Sequence, residues 1–184
     1  MNQAVIPALT RQRNSILLDL SIVAMGVLLI SGLAQIAIPI PGSPVPITGQ
    51  TFGVTLMALN FGRRLALATI MTYLAAGAIG LPVFALGKSG FSLGPTTGYL
   101  IGMCVAVGII GFLADKGFTK SFPRAWFAGA CGSFCIFSFG LGWLSFFVPP
   151  EHLLSQGLLP FIPGDIIKTI TAAYLSTRAQ RLIK

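Results

Sequence analysis

Six apolar stretches, divided by turns that are alternately basic and rich in proline and glycine, constrain this chain more than any other feature. The first runs from about Ser15 to Ile38 with Asp19 as its only charge, roughly 24 residues and long enough to cross a bilayer. Pro39, Pro41, Pro44 and Pro46 end it. The second, from about Gln50 to Phe61, has only about 12 residues, so it must be tilted, extended or shielded by neighbours. A third runs from about Leu65 to Gly80 and stops at Pro82. The fourth starts after Pro95 and ends near Ala114, the fifth covers about Ala125 to Val148, and the sixth runs from about Phe161 to Thr177. Composition agrees: 54% of the residues are hydrophobic and 9% are charged, where a soluble domain carries about 25% charge. A water-soluble globule is excluded for lack of polar surface, and a disordered chain for excess of apolar surface. The expected fold is an all-α integral membrane protein. It has a bundle of six transmembrane helices over residues 15–180, preceded by a cytoplasmic segment, 1–14.

Charge sets the expected topology. Lys and Arg are enriched in cytoplasmic loops. If six helices alternate, Arg11, Arg13, Arg63, Arg64, Lys116, Lys120, Arg124, Arg178, Arg181 and Lys184 all fall on one side, ten of the twelve basic residues. The opposite turns hold only Lys88 and the acidic Glu151. Both termini are therefore expected in the cytoplasm. The net charge of +8 reports orientation in lipid, and nucleic acid is not an expected partner because no basic stripe lies on a solvated face.

Within the spans, Ala68, Thr72, Ala76 and Gly80 form a small-residue ridge, as do Gly94, Gly98, Gly102 and Ala106, and Ala125, Gly129 and Ser133. Such ridges let helices approach closely in lipid, within the bundle or against a partner. No catalytic set, metal site or cofactor is expected. Cys104, Cys131 and Cys135 lie in apolar runs, and His152, the sole histidine, sits beside Glu151 in a solvated loop. Gly87-Lys88-Ser89 looks like the end of a phosphate-binding loop, but Pro82 stands where the first glycine is required.

The outer turns collect the unusual residues. One reads Pro44-Val45-Pro46-Ile47-Thr48-Gly49-Gln50-Thr51; another ends Gly94-Pro95-Thr96-Thr97-Gly98-Tyr99; the last reads Pro160-Phe161-Ile162-Pro163-Gly164-Asp165-Ile166-Ile167-Lys168. Each leads into an even-numbered span whose N-terminus faces outward. Unsatisfied amide donors and a partial positive charge gather at such ends, and together they suit an anionic group. Asp165 and Lys168, three apart, share a helix face. An ion at this depth costs roughly 2.5–3.5 kcal/mol. Two readings stand: a structural ion pair or a snorkelling lysine, and a ligand site facing the bundle interior. Phe84, Tyr99 and Trp143 are either interfacial aromatics or walls of an apolar pocket.

These three segments, with Gly80-Leu81-Pro82-Val83-Phe84-Ala85, resemble the BioY family, the biotin-specific substrate-binding subunits (S components) of energy-coupling factor transporters. The resemblance covers about residues 15–180. It implies a six-helix membrane protein of a prokaryotic cell membrane that is not an enzyme. It also implies capture of biotin from the outer side, and work with a transmembrane coupling subunit and two ABC-type ATPases. The family's Asp and Lys map to Asp165 and Lys168, and its Gln to Gln50. Biotin offers two ureido N–H donors, a carbonyl and a carboxylate. Asp165 is then an acceptor for the ring, with Gln50 or Thr48 completing the pairing. Lys168, Lys88 or the helix N-termini are candidates for the carboxylate, and Phe84 and Tyr99 for the apolar ring and chain. Members of this class often carry Ala-x-x-x-Ala on helix one for docking. Here Ala24, Gly26, Ser31, Gly32, Ala34 and Ala37 give no clean small pair at that spacing. A solitary biotin carrier, or an S component for another small vitamin, are the alternatives.

Overall fold

The computed structural model describes residues 16–90 and 93–182. Segment 1–14 with Arg11 and Arg13, and Lys184, lie outside the described residues. The chain runs through α1 (Ile16–Gln35), β1 (Ala37–Ile38), β2 (Ile47–Thr48), α2 (Gln50–Ala78), α3 (Thr97–Asp115), α4 (Phe122–Leu144), α5 (Pro150–Gly157) and α6 (Ile162–Leu182). The fold is all-helical apart from the two-residue antiparallel pair, in which Ala37 faces Thr48 and Ile38 faces Ile47. Among the described residues, five helical stretches are long and apolar enough to cross a membrane: α1, α2, α3, α4 and Pro150–Leu182.

The second and third apolar spans belong to one element, α2, which breaks at Gly62. There φ is 73° and ψ 176°, a conformation open essentially to glycine. No loop separates the two halves. The Arg63 amide freed by the break donates to Asp115 Oδ2 at 3.0 Å. Gly111 lets α3 lie against the break, since a Cβ there would stand 2.7 Å from Arg63 Cα. The second half ends in a Schellman arrangement: Gly80 N donates to Gly77 O, Leu81 N to Ala76 O, and Gly80 takes φ 105°.

α1 buries the stripe Ile22, Gly26, Ile30 and Ala34 and exposes Leu17, Leu20, Met25 and Leu28. Gly26 lies on α2, where a Cβ would meet Thr69 Cγ2 at 2.6 Å. The small ridges behave unequally. Gly102 lets α3 touch α4, with Ile136 Cα 2.8 Å from the place of its missing Cβ, and Gly98 does the same at Phe139 O and Trp143. Gly129 of α4 faces Thr55 and Thr169. By contrast, Ala68 and Thr72 point outward, so the ridge expected on the third span does not pack inside the bundle; Tyr73 and Gly77 are the buried positions of that turn. His152, placed by sequence in a loop, lies exposed on α5. This eight-residue helix turns its Gly157 against Leu144 and Tyr99.

Candidate ligand-binding cavity

The first turns of α2, α3 and α6 meet at one end of the bundle around a cavity of about 330 Å³, within the range of small-molecule sites. Thr48, Gln50, Phe84, Lys88, Tyr99, Asp165 and Lys168, the seven residues singled out in the sequence, all line it. Proline and glycine just before these helices bring the turns together: Thr97 N and Tyr99 N close on Gly94 O and Thr96 O, and Asp165 N closes on Phe161 O at 2.8 Å.

Asp165 and Lys168 do not form an ion pair; among the described residues the one ion pair is Arg64–Asp19, at 3.6 Å. Ser133 of α4 donates to Asp165 Oδ1 at 2.9 Å. Lys168 Nζ donates to the Thr48 carbonyl at 2.7 Å and to Thr51 Oγ1 at 3.3 Å. The structural ion-pair reading is thereby corrected. Partners on α4, β2 and α2 reach the two groups, and each bond is made away from the shared helix. Two capacities are left over: Asp165 Oδ2, which has no partner among the described residues, and one N–H of the ammonium.

Gln50 is engaged more fully than its sequence role implied. Its Oε1 accepts from Thr48 Oγ1 at 3.0 Å, and its Nε2 donates to the Tyr73 hydroxyl at 2.6 Å. Tyr73 in turn donates to Val83 O at 3.1 Å. This chain of bonds ties the start of α2 to its second half and to the turn carrying Phe84. Phe84 packs edge-on against Tyr73, with ring centres 5.5 Å apart, and fills the space above Gly77. Tyr99 lines the cavity with its ring and donates its hydroxyl to Gly157 O at 2.7 Å, bracing α3 against the end of α5. Lys88 is exposed at the rim, and its ammonium has no partner among the described residues.

Sequence reasoning missed Tyr73, Gln35 and Thr51, and treated Ser133 only as a small packing residue. Gln35 at the end of α1 clamps the Phe84 turn: its Nε2 donates to Phe84 O at 3.2 Å, and its Oε1 accepts from Gly87 N at 3.0 Å. The available signal was a polar tip placed inside or at the edge of an apolar run. In lipid such a group needs an internal partner.

The BioY family matches residues 6–184 of the chain. Biotin transporter BioY of Thermotoga maritima is 39% identical over 150 residues, spanning 79% of this chain and 86% of that protein. Probable biotin transporter BioY of Pyrococcus horikoshii is 38% identical, spanning 88% of this chain and 96% of that protein. In structure, the chain is similar to the S-component for biotin from an ECF-type ABC transporter, with a TM-score of 0.84 and 30% identity. That likeness covers 92% of this chain and 94% of the other.

Proposed function

Since the chain belongs to the BioY family, we propose that it is a biotin-binding membrane subunit that captures the vitamin from the outer side for uptake. The observation that carries this reading is the pair of unused capacities in the cavity. Asp165 Oδ2 is an acceptor, and Lys168 keeps one donor hydrogen. A cyclic urea presents an N–H and a C=O side by side, the complement of that pair. Phe84, Tyr99 and Phe161 supply apolar wall for the thiophane ring and chain. Lys88 at the rim suits the carboxylate, because its charge is otherwise unmatched.

The membrane arrangement follows the same reading. The chain crosses a prokaryotic plasma membrane six times, the two halves of α2 counting separately, with both termini in the cytoplasm. Contacts of Arg63 with Asp115, Arg64 with Asp19, and Thr119 with Gln180 support this, because they gather the basic turns at the end of the bundle away from the cavity. Membrane lipid surrounds the bundle. A transmembrane coupling subunit with ABC-type ATPases is the expected energising partner, and the chain itself performs no catalysis. A second reading, a carrier working alone, is favoured by one observation. Of the small residues of α1, Gly26 and Ala34 are buried against the bundle, and the exposed Ala24 and Gly32, eight positions apart, form no pair at four-residue spacing for a partner helix.

Calorimetric titration of the purified protein with biotin tests the site. Asp165→Asn and Lys168→Ala should each weaken binding by roughly tenfold to a hundredfold, as expected for hydrogen bonds involving charge. Titrations unchanged in both variants would reject it. Biotin uptake by vesicles containing this chain alone separates the readings: sustained accumulation supports the solitary carrier, and its absence supports dependence on the ATPases.

A further inference from the structure

Hydroxyls on the membrane helices of this chain mostly bond their own backbone. Ser21, Thr69, Thr72, Thr171 and Thr177 all donate to the carbonyl four residues earlier, the usual behaviour of Ser and Thr in such helices. Ser133 does not. It is 7% exposed, and its hydroxyl leaves α4 to donate to Asp165 Oδ1 on α6. The position is held firmly, because the adjoining Gly132 is covered by Ile110, and Gly129 sits against Thr55 and Thr169.

The choice of partner matters because of what stands three residues along α6. Side chains at that spacing are neighbours, and a lysine reaches a carboxylate there with ease. Opposite charges attract strongly where water is excluded. An acid and a base left alone on this face would close on each other, and a ligand would have to break that pair before binding. Instead, Asp165 is drawn to α4 by Ser133, while Lys168 is drawn to Thr48 O and Thr51 Oγ1.

We propose that Ser133 is a positioning residue. Together with Thr48 and Thr51 it holds Asp165 and Lys168 apart, so that an arriving ligand meets a carboxylate oxygen and an ammonium N–H that are not spent on each other. The inference rests on the biotin reading of the cavity and deepens it. It assigns recognition of a urea N–H to an Asp165 geometry maintained from α4.

The test compares biotin with an analogue methylated on the ring nitrogen, which lacks that N–H. Both are titrated into the wild-type protein, Ser133→Ala and Ser133→Cys. In Ser133→Ala, biotin affinity should fall roughly tenfold or more, while that of the analogue stays within about twofold, so discrimination between them collapses. Ser133→Cys keeps a weaker donor of similar size and should retain intermediate discrimination, a readout that remains if the alanine variant fails to fold. In an Asp165→Asn background, Ser133→Ala should add less than about twofold. Equal losses for biotin and analogue, or wild-type discrimination in the variants, would overturn the role of Ser133. Failure of wild-type protein to bind biotin is a separate result, which removes the functional reading and this inference with it.

Discussion

Gln50 and Tyr73 lie 23 positions apart in α2, yet Gln50 Nε2 donates to the Tyr73 hydroxyl at 2.6 Å. In a straight helix the same two residues would be about 35 Å apart. The break at Gly62 is therefore a reversal, and the halves of α2 lie side by side. One buried hydrogen bond thus joins the turn before α2 to the turn after it, through Thr48 on one side and Val83 on the other. The wall of the cavity and the fold of the helix pair depend on the same polar chain.

Tyr73→Phe tests that dependence. The substitution keeps the ring against Phe84 but leaves the Gln50 amide and the Val83 carbonyl without their partner. A buried group deprived of its hydrogen bond costs about 1–3 kcal/mol. The thermal melting point in detergent should fall by several degrees, and biotin affinity should drop less than in Asp165→Asn, since Tyr73 is not among the residues lining the cavity. A melting point equal to that of the wild type would show that the chain of bonds contributes little.

Gly77 supports the other face of that wall. A Cβ there would fall within the Phe84 ring, and with Tyr73 packed against that ring the cavity is the direction in which it can retreat. Gly77→Ala should therefore displace Phe84 toward the cavity and weaken biotin binding at least tenfold, with a destabilisation of about 1–3 kcal/mol from overpacking. Titration and melting of the same sample read both effects. Full affinity in this variant would mean that Phe84 is free to move without consequence.

Much of this architecture was legible in the residues, for identifiable reasons. Apolar runs of membrane length, punctuated by proline and by Arg and Lys, gave the helices because lipid leaves backbone groups few other solutions. Asp165 and Lys168 stood out because charge in an apolar span is costly. What stayed hidden depended on three-dimensional proximity. The residues place a turn at Arg63 and Arg64, but nothing in them shows that Gly62 alone makes the reversal, with no loop between the halves. The ridge containing the exposed Ala68 and Thr72 has the same spacing as ridges that are buried, so periodicity alone did not choose between them. Tyr73 reads as one more aromatic in a hydrophobic run until its partner arrives from 23 residues away. The separation of Asp165 from Lys168 depends on Ser133, which is 32 residues distant.

The turn after α2 offers a dynamic prediction. Leu86 takes φ 61° and Gly87 φ 66°; for leucine this left-handed conformation costs roughly 1–2 kcal/mol. Gln35 offsets the strain by bonding Phe84 O and Gly87 N at once. Gln35→Ala should release this segment, raising amide hydrogen exchange from Phe84 to Lys88 while leaving α4 and α6 unchanged. Exchange that stays at the wild-type rate in this segment would show the turn to be held by other contacts.

The reversal itself is open to a paired test. At Gly62 the backbone lies at φ 73° and ψ 176°, where a Cβ carries a penalty of about 1–3 kcal/mol. Its neighbour Arg63 has an amide that the break strips of its helical partner, and Asp115 receives it as a cap from α3. Losing a cap of this kind costs about 0.5–2 kcal/mol. Gly62→Ala and Asp115→Ala should therefore both lower the melting point, but their effects on the cavity should differ. Only Gly62→Ala alters the path by which the second half of α2 returns to place Tyr73 beside Gln50, so it should weaken biotin binding as well. Asp115→Ala loosens the opposite end of the bundle and should leave affinity within about twofold. Equal effects on biotin binding would mean that the reversal is set by packing along the whole helix pair and not by the one glycine at its apex.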